Sequence, residues 1–252
     1  MNSKRAPISA GELDPHRVPA HVAVIMDGNG RWAQKRLLNR IKGHEKGAEA
    51  VRTITESCIE FGIPYLTLYA FSTENWERPA SEVDALMGLL RNFLDTREEE
   101  LLKNGIRLSA IGQIDRLPGK VRASLDRVVN TTGQNRKLRL TLALSYGGRS
   151  EIIEAARRIG RRIEAGELRA DQVDDSLLAG CLDTHDLPDP DLLIRTSGER
   201  RVSNFLLWQI AYTEFYFTET LWPDFGRDEF LTIVKDFQSR ERRFGRVSHI
   251  TA

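Results

Sequence analysis

Three short segments of this sequence join flexible backbone to groups that bind anions or a hard cation. The first is Asp27-Gly28-Asn29-Gly30-Arg31-Trp32, directly after an apolar run. Its two glycines allow backbone N–H groups to converge on an anion, Arg31 adds a fixed positive charge, and Asp27 offers a carboxylate to a metal or a proton. The segment lacks both the Gly-Lys-Ser/Thr of a P-loop and the full Gly-x-Gly-x-x-Gly dinucleotide fingerprint, and a lone Gly-x-Gly is more often an ordinary tight turn. Downstream, Arg40 and His44 approach an expected helix start through Gly43, a second anion-binding feature. The next segment, Phe71-Ser72-Thr73-Glu74-Asn75-Trp76-Glu77-Arg78-Pro79, crowds hydroxyl, carboxylate, amide, indole and guanidinium groups into one expected strand-to-helix loop. The last runs from Arg195 to Asn204 and carries Arg195, Arg200, Arg201 and Ser203; its arginines could clamp a second phosphate group with bidentate geometry. Beyond it, Glu214 opens the aromatic run Phe215-Tyr216-Phe217, and an acid beside so apolar a stretch is not readily a solvated charge.

Taken together, these loops hold Arg31, Arg40, Arg78, Arg195 and Arg201 with two carboxylates, Asp27 and Glu214, and no obvious Ser-His-Asp or Cys-His set. Polyanion binding with a divalent cation fits that inventory, because Mg²⁺ takes carboxylate oxygens while leaving positions for phosphate oxygens and water. The 252 residues carry 37 basic and 36 acidic side chains, a net charge of +1, so any anion site is local and a nucleic-acid module is disfavoured. Cys58 and Cys181 lie far apart within helix-like patterns, which excludes a disulfide framework or a zinc knuckle. There is no signal-peptide core and no apolar run of about 18 residues, so a soluble, cytoplasmic chain is expected. The first twenty or so residues, rich in Pro, Gly, Ser and charge, read as a mobile leader.

The elements that must position these loops alternate. Strands are expected over 21–26, 65–71, 106–111, 138–144, 191–194 and 214–217, and helices over 44–61, 81–103, 117–131, 150–165, 172–182 and 227–242. In the longest helix Val83, Leu86, Met87, Leu90 and Leu94 share one face, which is either core packing or the wall of a hydrocarbon channel. The β-α-β-α rhythm predicts a single α/β domain with a mainly parallel six-stranded sheet, helices on both faces and ligands at the carboxyl ends of the strands.

The blocks His21 to Trp32, Phe71 to Pro79, Tyr146-Gly147-Gly148-Arg149, and Arg195 to Asn204 followed by Phe205-Leu206-Leu207-Trp208-Gln209 resemble, in order and spacing, the cis-prenyltransferases of the bacterial undecaprenyl diphosphate synthase type. The resemblance spans about residues 20 to 245. It implies a catalytic domain over 21–245 with a leader over 1–20 and a tail over 246–252, and a hydrophobic tunnel between sheet and helices. It also implies repeated addition of isopentenyl diphosphate to an allylic diphosphate, typically farnesyl diphosphate, with Z double bonds, leading to undecaprenyl diphosphate for cell-wall polysaccharide synthesis, with a shorter- or longer-chain cis-polyprenyl diphosphate as the alternative product. Mg²⁺, a homodimer and transient membrane contact for product release are implied by the same resemblance.

Carried over by motif, Gly28, Asn29, Gly30, Arg31, Trp32, Arg40 and His44 hold the allylic diphosphate, and Asp27 and Glu214 serve the metal. Arg195, Arg201, Val202 and Ser203 hold isopentenyl diphosphate. Asn75 corresponds to the family's proposed proton acceptor, supported by Ser72, Glu74 and Trp76, with Thr73 and Arg78 as further substrate-binding residues of the same loop. An amide is a poor base, so Asn75 has the alternative of orienting a diphosphate oxygen that takes the proton. Candidate dimer contacts are Phe215 to Phe217 and Arg240 to Phe244. The sequence departs from common family patterns at Leu37, where glycine is frequent, at Ser145, where Asn is common, and at Arg200, where some relatives carry histidine. Rival readings are a phosphatase or nucleotide-dependent transferase, which the missing fingerprints oppose, and a non-catalytic relative, which would generally have lost residues such as Asp27 and Asn75.

Overall fold

The computed structural model describes residues 13–240. Six strands, β1 (His21–Ile25), β2 (Tyr65–Ser72), β3 (Ile106–Ile111), β4 (Leu138–Tyr146), β5 (Leu192–Arg195) and β6 (Glu214–Phe217), form one sheet in the order β3-β4-β2-β1-β5-β6. Every pairing is parallel. β1 is apolar almost throughout and all five of its residues are buried, as expected for a central parallel strand covered on both faces. From β1 the chain steps first to β2 on one side and later to β5 on the other. That change of direction opens a crevice at the carboxyl ends of β1, β2 and β5.

Alternation along the strands divides the core in two. Val22, Val24, Leu66, Leu68, Leu140, Leu142 and Ile194 face a large cluster shared with α2 (Arg40–Phe61), α3 (Ala80–Lys103), α4 (Gly119–Thr132) and α7 (Arg227–Ser239). Ala23, Ile25, Ala143 and Leu193 face a smaller cluster with Phe205, Leu206 and Ile210. At the opposite end of the sheet from the crevice, His21 is satisfied by Pro188 O at 2.6 Å and Thr67 Oγ1 at 2.8 Å. Burial there lowers its pKa to about 4.

Several boundaries differ from the sequence expectation. The Gly28–Arg31 stretch, expected as a loop, opens a short helix α1 (Asn29–Lys35) whose N-cap is Gly28 at φ 107°. The helix expected from His44 begins at Arg40, where the Asn39 side chain accepts from Ile41 N at 3.1 Å. Gly43 therefore lies inside α2 rather than at its start. α5 (Gly148–Glu164) follows β4 directly, and the helix expected over 172–182 is reduced to α6 (Asp175–Ala179), bounded by the Asp174 cap and Gly180. α7 stops at Ser239; the remainder of its expected range, 241–242, lies outside the described residues, as do positions 1–12 of the leader, the tail, and 241–244 of the candidate dimer contact. Within the expected leader, Leu13 and Val18 pack against the main core and Gln238 Nε2 donates to Asp14 O at 2.7 Å, so 13–20 are held in place.

Candidate active site

The crevice is a cavity of about 680 Å³ with two chemically distinct ends. Asp27, Asn29, His44, Ser72, Glu74, Asn75, Arg78, Arg195, Arg201 and Ser203 contribute its polar end. Val51, Leu86, Leu89, Leu90, Phe93 and Leu142 line the apolar end between α2, α3 and β4. The face expected on α3 is thereby split. Leu86 and Leu90 reach the cavity, whereas Val83, Met87 and Leu94 are buried in the core.

Asp27 follows β1 and meets Arg195, the last residue of β5, because β1 and β5 are neighbours with Ile25 opposite Arg195. Arg195 Nη2 donates to Asp27 Oδ2 at 2.9 Å, and Nη1 donates to Arg201 O at 2.5 Å and Ser203 Oγ at 2.7 Å. Arg31 joins the same network through Ser197 O at 3.1 Å, Asp27 at 3.3 Å and Glu199 at 3.4 Å. Burial opposes ionisation of Asp27, but Arg195, Arg31 and the Gly28 N–H outweigh it and hold the carboxyl below the usual range. Arg201 is exposed and paired with Glu199. The loop after β5 holds Ser197, Ser203, Asn204 and Leu206 at positive φ, a concentration of backbone strain in non-glycine residues that accompanies functional sites.

The first helical bond of α1 is Trp32 N to Gly28 O at 2.8 Å, which leaves the N–H groups of Asn29, Gly30 and Arg31 without partners inside the helix. α1 crosses α2 closely beside the crevice, where Asn29 lines the cavity. A Cβ at Gly43 would lie 2.0 Å from Asn29 O, and one at Gly47 would lie 2.3 Å from Asn29 Oδ1. Arg40 reaches back over Gly30, and Glu82 on α3 binds Arg40 at 3.7 Å and Arg78 at 2.9 Å. His44 sits among these groups. Burial and the Arg78 charge lower its pKa to about 4 and keep it neutral.

The loop after β2 is re-aimed by a register shift at Ala70 and closed by a reciprocal cap between Ser72 and Asn75, in which Ser72 N donates to Asn75 Oδ1 at 3.2 Å. Glu74 accepts from Asn204 Nδ2 at 2.9 Å. Burial raises its pKa, but this bond and donors from its own backbone, Ser72 and Thr73 bring it below the ordinary range. Trp76 donates to Ser145 Oγ at 2.9 Å and packs edge-on against Phe71, so it braces the loop from behind. Trp32 is likewise a support, its indole N–H donating to Asp224 at 2.7 Å with Arg36 over the ring. Val202 packs against the smaller core cluster, and Thr73 lies against Gly147.

Glu214 is not brought to this crevice. The parallel register sets it opposite Leu192, three residues before Arg195, which is about 10 Å toward the amino end of the sheet. There it binds Arg240 at 3.0 Å. Asp27 and Glu214, the two residues expected to serve the metal, are therefore not brought together within this chain.

The sequence reading did not single out Glu82, Tyr69, Asn204 or Trp222. Tyr69 stacks on Phe205 and donates to Tyr146 O at 3.1 Å, while burial and the Glu74 charge push its phenol up and keep it protonated. Asn204 ties three loops together through Glu74, Arg149 N and Gly148 N. Trp222 donates to Gly47 O at 2.9 Å. Only Asn204 carried a sequence signal, its place at the end of the Arg195 block.

Among the described residues, four buried side-chain polar atoms have no hydrogen-bond partner: Asn29 Oδ1, His44 Nε2, Arg195 Nε and Gln209 Oε1. The first three belong to residues lining the cavity. Buried polar groups are normally satisfied, so this concentration marks a ligand position. No three His, Cys, Asp or Glu side chains converge as a metal cage among the described residues. Asp27 and Asn29 nevertheless supply hard oxygen donors of the kind Mg²⁺ uses when substrate phosphates complete its coordination.

Such a crevice suits a ligand that is anionic at one end and hydrocarbon at the other, and comparison with known proteins agrees. Residues 25–245 match the family model described as "Putative undecaprenyl diphosphate synthase". The isoprenyl transferase of Heliobacterium mobile is 52% identical over 236 residues, 94% of this chain and 91% of that protein. That of Geobacter sulfurreducens is 53% identical over 236 residues, 94% and 96% respectively. Among solved structures, lavandulyl diphosphate synthase from Lavandula x intermedia, in complex with dimethylallyl diphosphate, superposes with TM-score 0.89 at 39% identity, covering 91% of this chain and 99% of that one. A probable undecaprenyl diphosphate synthase from Campylobacter jejuni gives 0.75 at 41% identity, with coverage of 90% and 99%. With residues 25–245 matching the family and about half of the positions identical to these relatives over nearly the full length, the chain belongs to the undecaprenyl diphosphate synthase family and is a prenyltransferase.

Proposed function

We propose that this chain is a Mg²⁺-dependent cis-prenyltransferase that adds isopentenyl diphosphate repeatedly to an allylic diphosphate, with farnesyl diphosphate as primer and undecaprenyl diphosphate as product. The observation that carries the reading is the cavity itself: three unpartnered buried polar atoms at one end and Leu86, Leu89, Leu90 and Phe93 at the other. The bound dimethylallyl diphosphate of the lavandulyl diphosphate synthase neighbour supports an allylic diphosphate here.

Ionisation breaks the allylic C–O bond and leaves the electron pair on the departing diphosphate. The N–H groups of Asn29 to Arg31, with Arg40 and His44 beside them, receive that charge at the end of a helix whose dipole favours it. Mg²⁺, when bound through Asp27 and Asn29, supplies further neutralisation of the leaving group. Arg195, Arg201 and Ser203 hold the second diphosphate so that the isopentenyl double bond lies against the allylic carbon, and its π pair forms the new C–C bond. A proton then leaves the adjacent carbon. Asn75 Oδ1 is engaged by Ser72 N, so its amide hydrogens orient a diphosphate oxygen that accepts the proton. Of the proposed homodimer contacts, Phe215 on the edge strand β6 is 36% exposed and stacks on Phe217. Among the described residues no helix is long and apolar enough to cross a membrane.

Calorimetric binding of each diphosphate to single variants tests the two-site assignment. Arg201→Ala weakens isopentenyl diphosphate more than farnesyl diphosphate, and Arg40→Ala does the reverse. Equal losses for both ligands in both variants would show one shared anion pocket and sink the assignment.

A further inference from the structure

The block Tyr146-Gly147-Gly148-Arg149 holds neither diphosphate in the reading above, yet three loops meet on it. It leads into α5, whose N-cap Gly147 has no side chain with which to cap the helix. Asn204, in the loop after β5, does so from across the fold: Gly148 N donates to Asn204 O at 2.7 Å and Arg149 N donates to Asn204 Oδ1 at 2.9 Å. The approach is close. A Cβ at Gly147 would lie 2.7 Å from Asn204 Nδ2 and 2.7 Å from Thr73 Oγ1, and one at Gly148 would lie 3.0 Å from Leu207 N. Two glycines therefore let the loops after β2, β4 and β5 touch.

The helix start also settles which way the Asn204 amide points. With Oδ1 taken by a backbone N–H, Nδ2 is the atom turned toward the loop after β2, where it donates to Glu74 Oε1 at 2.9 Å. The Asn204 backbone is left-handed at φ 63°, a conformation Asn adopts more readily than most residues, and the fully buried Phe205 and Leu206 anchor it from behind. On one side of this bracket stands Ser203, whose Oγ accepts from Arg195 Nη1 at 2.7 Å. On the other stands Asn75, next to Glu74 and joined to Ser72 by the reciprocal cap. One side chain thus registers two loops of the crevice.

We propose that Asn204 is a positioning residue for condensation: braced on the start of α5, its amide sets the loop that carries Asn75 against the loop that holds isopentenyl diphosphate. The inference rests on the prenyl-elongation reading above. Asn204 touches no reacting atom in this account. It fixes the span between Ser203, which holds isopentenyl diphosphate, and Asn75, which serves departure of the proton, and turnover is steeply sensitive to such spans.

The test exchanges donor and acceptor across the Glu74–Asn204 bond. Asn204→Asp keeps the acceptor for Arg149 N and the tolerance for left-handed backbone, but turns an oxygen instead of an N–H toward the Glu74 carboxylate. Single-turnover condensation of farnesyl diphosphate with isopentenyl diphosphate, and calorimetric affinity for farnesyl diphosphate, are measured on wild type, Asn204→Asp and Glu74→Gln/Asn204→Asp. In Asn204→Asp the condensation rate falls about tenfold, the size of one hydrogen bond to a charged group, while farnesyl diphosphate affinity holds within about twofold. The double variant, in which the introduced amide donates to the introduced carboxylate, recovers most of the loss, a rescue that a merely structural role would not give. If Asn204→Asp does not fold, Asn204→Gly, suited to the same backbone and lacking both side-chain bonds, shows the same split between condensation and primer affinity. A folded Asn204 variant with wild-type condensation, a double variant no better than Asn204→Asp, or equal losses in condensation and primer affinity would overturn the inference and leave the enzymatic reading intact. A wild-type protein that condenses nothing would instead overturn that reading, and this inference with it.

Discussion

Gly43→Ala separates what the α1–α2 crossing contributes to the site from what it contributes to stability. The added methyl would lie 2.0 Å from Asn29 O, 2.8 Å from Asn29 C and 3.2 Å from the Ala33 Cβ. Ordinary contact begins at 3.4 Å, so the Asn29 carbonyl must retreat by about 1.4 Å, and it is backbone rather than the end of a flexible side chain. Overpacking of this kind costs about 1 to 3 kcal/mol. Replacing glycine by alanine inside a helix returns about 1 kcal/mol. The net loss is then roughly 0 to 2 kcal/mol, and at about 2 to 4 °C per kcal/mol for a chain of this size the melting temperature falls by under about 8 °C. Catalysis has no such compensation. Asn29, Gly30 and Arg31 move with the carbonyl, and a displacement of about 1 Å in a positioned group can lower turnover about 100-fold. Thermal unfolding by circular dichroism and steady-state elongation with farnesyl diphosphate measure the two effects on one preparation. A Gly43→Ala protein that is more stable than wild type by the full helical gain and turns over normally would show that α1 and α2 do not approach as described.

Asp27→Ala lowers turnover by orders of magnitude while largely sparing farnesyl diphosphate binding. It also leaves the buried Arg195 without its carboxylate, so unfolding by urea shows a stability loss of up to about 3 kcal/mol; an unchanged midpoint with normal turnover would refute both roles. Because the Asp27 pKa is lowered from 3.8, that pair's stabilisation is complete above this value and is lost as pH falls below it. His21 and His44 shift stability in the same direction, but in a higher pH window. With pKa values lowered from 6.5 to about 4, both stay neutral in the fold while the unfolded chain takes up protons, so stability rises between pH 4 and 6.5 and levels off above. Urea midpoints measured across that range check the slope, which is flatter in His44→Gln. On α3, Leu90→Trp shortens the products, whereas Leu94→Ala costs about 2 to 5 kcal/mol without changing their length; product analysis and melting curves reverse the assignment if these outcomes are exchanged.

Much of the architecture was legible in local pattern. β1 reads as a strand because a parallel strand covered on both faces is a continuous apolar run, and β4 because leucine recurs at every second position from Leu138 to Leu144. α3 declared itself by periodicity over many turns, and the anion-binding groups stood in the segments that directly succeed the strands. α1 was hidden, because a helix of seven residues shows little periodicity and takes its stability from packing. Its Gly28–Arg31 start read as a turn, and the reason for Gly43 and Gly47 became visible only with α1 lying across them.

Glu214 shows where local pattern ends. Its aromatic neighbours suggested a functional acid, yet which end of the sheet it occupies depends on the register between β5 and β6, a pairing across residues far apart in the chain. The α3 stripe met the same limit. Apolar spacing identified a buried face, but Val83, Met87 and Leu94 differ from Leu86, Leu90 and Phe93 only by where α2 and β4 leave space. By itself the sequence determined the residue types of the site, the strand ends that carry them and the order of the elements, since these are set by composition and short-range periodicity. Tertiary structure decided which of those groups meet, which are left without partners and which apolar side chains face a void, because each of these depends on contacts between segments that local pattern does not relate.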